Sequence, residues 1–374
     1  MIQQGKIGPR EAMSIITIMI SVNALLSGAI AADYALHAGW LAIIVAGGLA
    51  ALGTLFSARL MAHYPDKGLI GVGQEVLGPT GGFCIGLLYF NLFLLASALF
   101  LRLEADRIAL VYLPDTPAPV LALFMTLAGL GGAYLGLEAL GRTSLVFSSV
   151  VIGGLLLPLF MSANFWNWNN LFPLLGTGIS DIIKGGLSLH GLFSEIIILA
   201  VFYSSIKISS SPMSLWYQPL LIGLLVNVIA ALITLLVFSV PAITENIFPV
   251  VQTSRLIYLG RFFQRIDAFF AFFWMIAICL KFIILFFTSN VILAELLKLP
   301  YYKPFIVPLG IIVFSLAFLP SDLNQATHLA THMAWRWSGI IAFLLPAVML
   351  IICQLKQPKK QTKQSGKGKG KQDE

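Results

Sequence analysis

Ten long apolar runs separated by short polar gaps leave this chain one environment in which to fold. They lie at about 11–36, 39–62, 82–113, 118–136, 143–165, 187–207, 214–240, 262–293, 304–320 and 336–355. A helix crosses the hydrocarbon core of a bilayer with roughly 20 mostly apolar residues. Strands of a membrane barrel would instead show alternating segments of roughly ten residues. Charged residues make up only 10% of the chain and hydrophobic residues 58%, against roughly 25% charged in a soluble domain. A soluble fold is excluded. The reading is an all-α membrane protein of about ten transmembrane helices, with one transmembrane domain over 1–355 and a Lys-rich tail over 356–374.

The segment after Arg10 lacks a small-residue cleavage signature and is followed by further spans, so it reads as a retained first helix. Cys84, Cys279 and Cys353 lie far apart within apolar stretches. They read as packing residues, not as a disulfide framework or a zinc site. No metal spacing, nucleophile motif or phosphate-binding loop is present, and Gly71-Val72-Gly73 is not followed by the third glycine of a dinucleotide turn. The expectation is no enzyme, no cofactor and no metal.

Lys and Arg in alternating gaps set the orientation. With the N-terminus inside, one side collects Lys6, Arg10, Arg59, Lys67, Arg142, Lys207, Lys298, Lys303 and the lysines of the tail, and the other only Lys184, Arg255, Arg261 and Arg336. Both termini are therefore expected in the cytoplasm. The tail, with its repeated Gly-Lys and Gln-Lys pairs, has no means of building a core and is expected to be disordered. It reads as a solvated segment enforcing that orientation, or as a polybasic stretch held on anionic lipid. The pI of 9.3 is no sign of nucleic-acid binding.

Polar residues interrupt the first run at Ser21, Asn23, Ser27 and Gly28, and the sixth at His190, Gly191, Ser194 and Glu195. These runs are five spans apart, and an odd number of spans inverts orientation. That predicts two inverted five-helix repeats with broken first and sixth helices, a design that places a solute site near the midplane. An ionisable residue near a helix centre costs roughly 2.5 to 3.5 kcal/mol on insertion scales and is kept where a partner or water supports it. Lys281 and Glu195 have no local partner and are expected to face the bundle interior or a cavity. Arg102 with Asp106, and Glu104 with Arg107, have spacings that allow pairing along a helix edge near the interface. Arg265 and Asp267 lie near the outer end of the eighth run.

Several short pieces recur in a fixed order. They are Gly39-Trp40-Leu41, His63-Tyr64-Pro65 with Leu77-Gly78 and Gly81, Arg102 with Thr116-Pro117, Gly136-Leu137-Glu138 with Arg142, and Asn170-Leu171-Phe172-Pro173. The second half adds Glu195, Phe248-Pro249, Gln264-Arg265-Ile266-Asp267 with Trp274, and Pro320-Ser321-Asp322-Leu323-Asn324-Gln325. In these the chain resembles, from about residue 10 to 355, the B subunit of the spore germinant receptor, a branch of the amino acid/polyamine/organocation transporter superfamily.

The resemblance implies a LeuT-like transporter fold used as a nutrient sensor in the inner membrane of a dormant spore. It also implies a companion membrane subunit and a lipoprotein as partners, with an amino acid, sugar or nucleoside as the trigger. In such a fold the ligand would sit among the first, third, sixth and eighth helices. Its neighbours would be Ser21, Val22, Asn23, Leu92, Ala96, Phe193, Glu195, Ile198 and Lys281. Lys281 would strengthen binding of a carboxylate or pair with Glu195 when the site is empty. The rival reading is a proton-coupled amino acid or amine permease, with Lys281 or Glu195 as its proton carrier.

Overall fold

The computed structural model describes residues 5–207, 212–245, 248–258 and 266–356. Arg261, Arg265 and the tail beyond Lys356 lie outside the described residues. Among the described residues there is no strand, only an isolated bridge between Ile7 and Ile206.

Eight helical stretches there are long and apolar enough to cross a membrane. One of them, Ala24–Ala62, bends at Leu36–Ala38 and so holds the second half of the first span together with the whole second span. The other half of the first span is Pro9–Val22, and the ninth span is the shorter helix Ile306–Ala317. Ten spans result. The second is Gly39–Ala62, the fourth Ala118–Leu135 and the fifth Leu137–Met161. The seventh is Pro212–Val237 and the eighth Ile266–Leu296.

Three elements depart from the lengths read in the sequence. The third span is the larger part of Leu69–Val111, which is cut at Gly78 (φ +82°) ahead of Pro79, so that 69–77 forms a separate short helix. A positive φ at that joint suits a residue without a Cβ. The sixth span starts at Ile179, earlier than hydropathy suggested, and the exposed Lys184–Asp181 pair (3.2 Å) in its first turns is what hid that start from a reading of apolar runs. The tenth begins at Leu323, where Asp322 caps the helix, and passes through a π-helical turn, Leu329–Ala334, before Trp335–Lys356.

Water does not drive helices together inside a bilayer, so close packing and interhelical hydrogen bonds do the work. Glycines mark the approaches: a Cβ on Gly28 would stand 3.1 Å from Ala231 Cα, and one on Gly47 would stand 2.6 Å from Leu224. Some buried hydroxyls return to their own helix, as Thr17 does to Met13 O (2.8 Å) and Thr288 to Ile284 O (2.7 Å). Large apolar side chains such as Phe124 and Val146 lie on the outside of the bundle, where lipid would meet them.

Both ends of the described chain lie on one face. Ile7 exchanges backbone bonds with Ser205 and Lys207 just past the sixth span. Lys356 donates to Val76 O (2.7 Å) beside the short helix, and Tyr64 meets Cys353. The broken first and sixth spans run through the middle. The first packs on the fifth, seventh and eighth, and the sixth on the second and tenth. This is the inverted-repeat, LeuT-like architecture, with both interruptions at the centre.

Candidate functional site

The break in the first span is a single tightened turn. Asn23 N–H donates to Ile20 O (3.2 Å), three residues back, instead of to Met19 O, four residues back as an α-helix requires. Met19 O is thereby released and accepts from Lys281 Nζ (3.0 Å). Ile20 O takes a further bond from Asn227 Nδ2 (3.0 Å) on the seventh span. Side chains from other spans therefore hold the turn open.

The break in the sixth span is longer. Residues His190–Ile197 form a 3₁₀ helix between the α-helices Ile179–Leu189 and Ile198–Val201, and eight residues is a long run for that geometry. Here Leu192 O accepts from Asn23 Nδ2 (2.7 Å). The interruption covers the four residues at which the sequence placed it.

Three polar side chains meet between the two breaks. Lys281 Nζ lies 2.6 Å from Glu195 Oε1 and 2.6 Å from Asn23 Oδ1, and Asn23 Nδ2 also reaches Glu195 Oε2 (3.3 Å). This arrangement fixes the amide orientation, since nitrogen faces two acceptors and oxygen faces the ammonium. The Lys281 side chain is only 3% exposed and that of Glu195 15%. Lys281 Nζ also stands 5.3 Å from the centre of the Phe100 ring, within cation–π range.

The triad forms part of the wall of a cavity of about 490 Å³, a size that suits a small solute. Of the expected neighbours, Val22, Asn23, Leu92, Ala96, Glu195 and Lys281 line it. Ser21, Phe193 and Ile198 do not, and all three are packed in the core. Ser21 lies two residues before the turn, about 200° around the helix from Asn23. Along the sixth span Gly191, Ser194, Glu195 and Ile197 take the wall, and Phe193 and Ile198 turn away from it.

The tenth span supplies a wall that the sequence did not announce. Thr331, Trp335, Ser338 and Ile341 face the cavity, and Ser194 Oγ donates to Ser338 Oγ (3.0 Å) where the sixth and tenth spans meet in its wall. Their three- and four-residue spacing was visible in the sequence, but Thr, Ser and Trp in a membrane helix read equally well as packing.

The third span also departs from expectation. Arg102 pairs with Asp106 (2.7 Å) and Arg107 with Glu104, as their spacing predicts. Glu104 and Arg107, however, are buried and line the cavity instead of sitting on a helix edge at the interface. The Arg107 guanidinium also stands 5.8 Å from the Phe248 ring. Among the described residues the cavity wall thus carries two cations and two anions, each cation paired with an anion.

No group of three or more His, Cys, Asp or Glu side chains among the described residues is placed to hold a metal ion.

Known proteins match this chain over most of its length. Among solved structures, Mhp1, a nucleobase-cation-symport-1 family transporter in a closed conformation with bromovinylhydantoin bound, aligns with a TM-score of 0.65. The match covers 94% of this chain and 90% of that one at 12% identity. A manganese transporter of Eremococcus coleocola aligns at 0.59, covering 94% and 81% at 15% identity. At such identities these two speak for the fold alone. Relatives in sequence include spore germination protein YndE of Bacillus subtilis (strain 168), 24% identical over 82% of this chain and 85% of its own length. Another is spore germination protein GerLB of Bacillus cereus, 23% identical over 94% and 95%. Residues 6–326 match the family model described as spore germination protein, and the chain therefore belongs to the spore germination protein family.

Proposed function

We propose that this chain is the nutrient-sensing membrane subunit of a spore germinant receptor, binding an amino acid, sugar or nucleoside in the midplane cavity and thereby triggering germination. The observation that carries the reading is the triad of Asn23, Lys281 and Glu195, which joins the breaks of the first and sixth spans on the wall of that cavity. A ligand with a carboxylate or an ammonium competes for those groups. Displacing the Lys281–Glu195 pair loosens the bond between the two broken spans, and a ligand drives a change of shape through such a difference in affinity between two states. In this reading the chain sits in the spore inner membrane with both termini in the cytoplasm. A companion membrane subunit and a lipoprotein carry the signal onward.

The test is Lys281→Met in spores whose germination depends on this receptor, with germination rate and immunoblot level read on the same preparation. The response is expected to fall far more than the protein level. Normal germination at normal abundance overturns the reading. Steady accumulation of a solute by this chain alone, expressed in a membrane without partners, replaces it with a permease.

A further inference from the structure

The three oxygens around Lys281 Nζ come from three places: the released Met19 carbonyl, the Asn23 amide and the Glu195 carboxylate, at 3.0, 2.6 and 2.6 Å. An ammonium nitrogen on a carbon stem has three N–H donors and no acceptor. Each donor has an oxygen, and the Phe100 ring offers its face near the same nitrogen. Alkali ions gather a larger oxygen shell than this. Such a shell is a receptor for a primary ammonium group, assembled only because the first span tightens at Asn23 and frees Met19 O.

We propose that Met19 O, Asn23 Oδ1 and Glu195 Oε1 form a primary-ammonium site that the protein fills with its own Lys281, so that the two broken spans are joined without any cation from solution. The inference rests on the cavity reading above and adds to it the chemistry of one subsite. Lys281 acts as a tethered ion. Its positive charge balances Glu195 inside the bilayer, where a charge is kept only with a partner, and its donors bridge the first and sixth spans. Sodium and potassium have no part in holding the spans together.

Removing the tether while keeping the shell gives the test. Lys281→Ala deletes three carbons and the nitrogen, the atoms of n-propylammonium. The full-length variant is purified in detergent and its thermal unfolding followed by tryptophan fluorescence against n-propylammonium, tetramethylammonium, sodium and potassium chlorides. We expect n-propylammonium to raise the Tm of Lys281→Ala saturably by several degrees. Tetramethylammonium, which has no N–H, and the alkali ions should do no more than they do to the unsubstituted protein. The double variant Lys281→Ala, Glu195→Gln should lose the response. If Lys281→Ala folds only when purified in n-propylammonium, the proposal stands.

A folded Lys281→Ala that ignores n-propylammonium overturns it. So does an equal shift in the unsubstituted protein, an equal shift with sodium, or failure to fold with the amine present while Lys281→Met folds. The readout needs no germination, so loss of the sensor reading with amine rescue intact is recognisable as a separate result.

Discussion

Gly191, in the 3₁₀ stretch of the sixth span, lies so close to Trp335 that a Cβ built on it would stand 1.7 Å from the Trp335 carbonyl oxygen. The obstacle is backbone, so neither a rotamer change nor a flexible side chain relieves it. The contact sets the distance between the sixth and tenth spans, which share the cavity wall through the Ser194–Ser338 bond.

Gly191→Ala is therefore expected to force these spans apart. Overpacking typically costs about 1 to 3 kcal/mol, and a backbone clash of this depth belongs at the upper end. The check is thermal unfolding of purified protein beside Gly48→Ala and Gly153→Ala, where an added Cβ meets nothing within 4 Å. The two controls should unfold at or slightly above the starting temperature, since alanine favours a helix over glycine. A Gly191→Ala protein as stable as they are would mean that the spans do not approach as described.

The buried Glu104–Arg107 pair gives a second expectation. Breaking a buried pair by removing one partner costs about 3 to 5 kcal/mol, whereas replacing both partners with apolar groups of similar volume is often neutral. Arg107→Met should destabilise strongly, and Glu104→Met with Arg107→Met should recover most of the loss. Unfolding temperatures of the two singles and the double measure this coupling. Additive losses would show that the two side chains do not depend on each other.

Much of this architecture was legible because polar groups in hydrocarbon are conspicuous. Asn23, Glu195 and Lys281 stood out in apolar runs, and structure brings all three into contact. What stayed hidden is local pitch. Nothing in the sequence said that the first break would be one tightened turn, leaving Ser21 in the core, or that Ile197 and not Ile198 would face the cavity. Both depend on where 3₁₀ and α geometry meet. The third-span charges misled for a related reason: i,i+3 and i,i+4 spacing identifies partners but not which way the helix turns them, and tertiary packing turned Glu104 and Arg107 inward.

The Lys and Arg asymmetry makes a topological prediction, with both termini and the 59–80 connection in the cytoplasm and the 166–186 connection, shortened to 166–178 by the earlier start of the sixth span, and the 241–261 connection outside. Single cysteines placed in these connections, in a background lacking Cys84, Cys279 and Cys353, would be labelled with an impermeant maleimide from each side in turn. External labelling within 59–80 would invert the orientation.

At the start of the tenth span Asp322 Oδ1 accepts from Gln325 N–H (2.8 Å), and Gln325 Oε1 accepts in return from Ser321 N–H (2.6 Å). The Gln325 backbone bond, aided by the Ser321 hydroxyl, holds the Asp322 carboxyl below its usual range. A carboxylate depressed on folding stabilises above its unfolded pKa and loses that contribution as pH falls through the folded value. Amide exchange over Leu323–His328 should thus keep its protection down to mildly acidic pH and lose it only below the ordinary aspartate range. Asp322→Asn keeps a capping oxygen and should abolish this pH dependence, whereas Asp322→Ala should fray the turn at every pH. Fraying that sets in between pH 7 and 6 would point to another group.

The last prediction joins Asn23 to Glu195, which contact each other (3.3 Å) and share Lys281. Glu195→Gln keeps the shape and much of the hydrogen bonding but removes the charge, and Asn23→Leu removes the amide that binds Leu192 O and Lys281. Hydrogen bonds to charged groups contribute about 1.5 to 3 kcal/mol, and each 1.4 kcal/mol is about tenfold in affinity. Each change alone should therefore raise the nutrient concentration needed for half-maximal germination by about tenfold or more, at unchanged protein level. Residues in one hydrogen-bond network couple, so the double variant should fall well short of the product of the single effects, since either change already dismantles the shell around Lys281. Multiplicative shifts with normal abundance would show that the two side chains do not share a pocket, and the ligand site proposed between them would have to be abandoned.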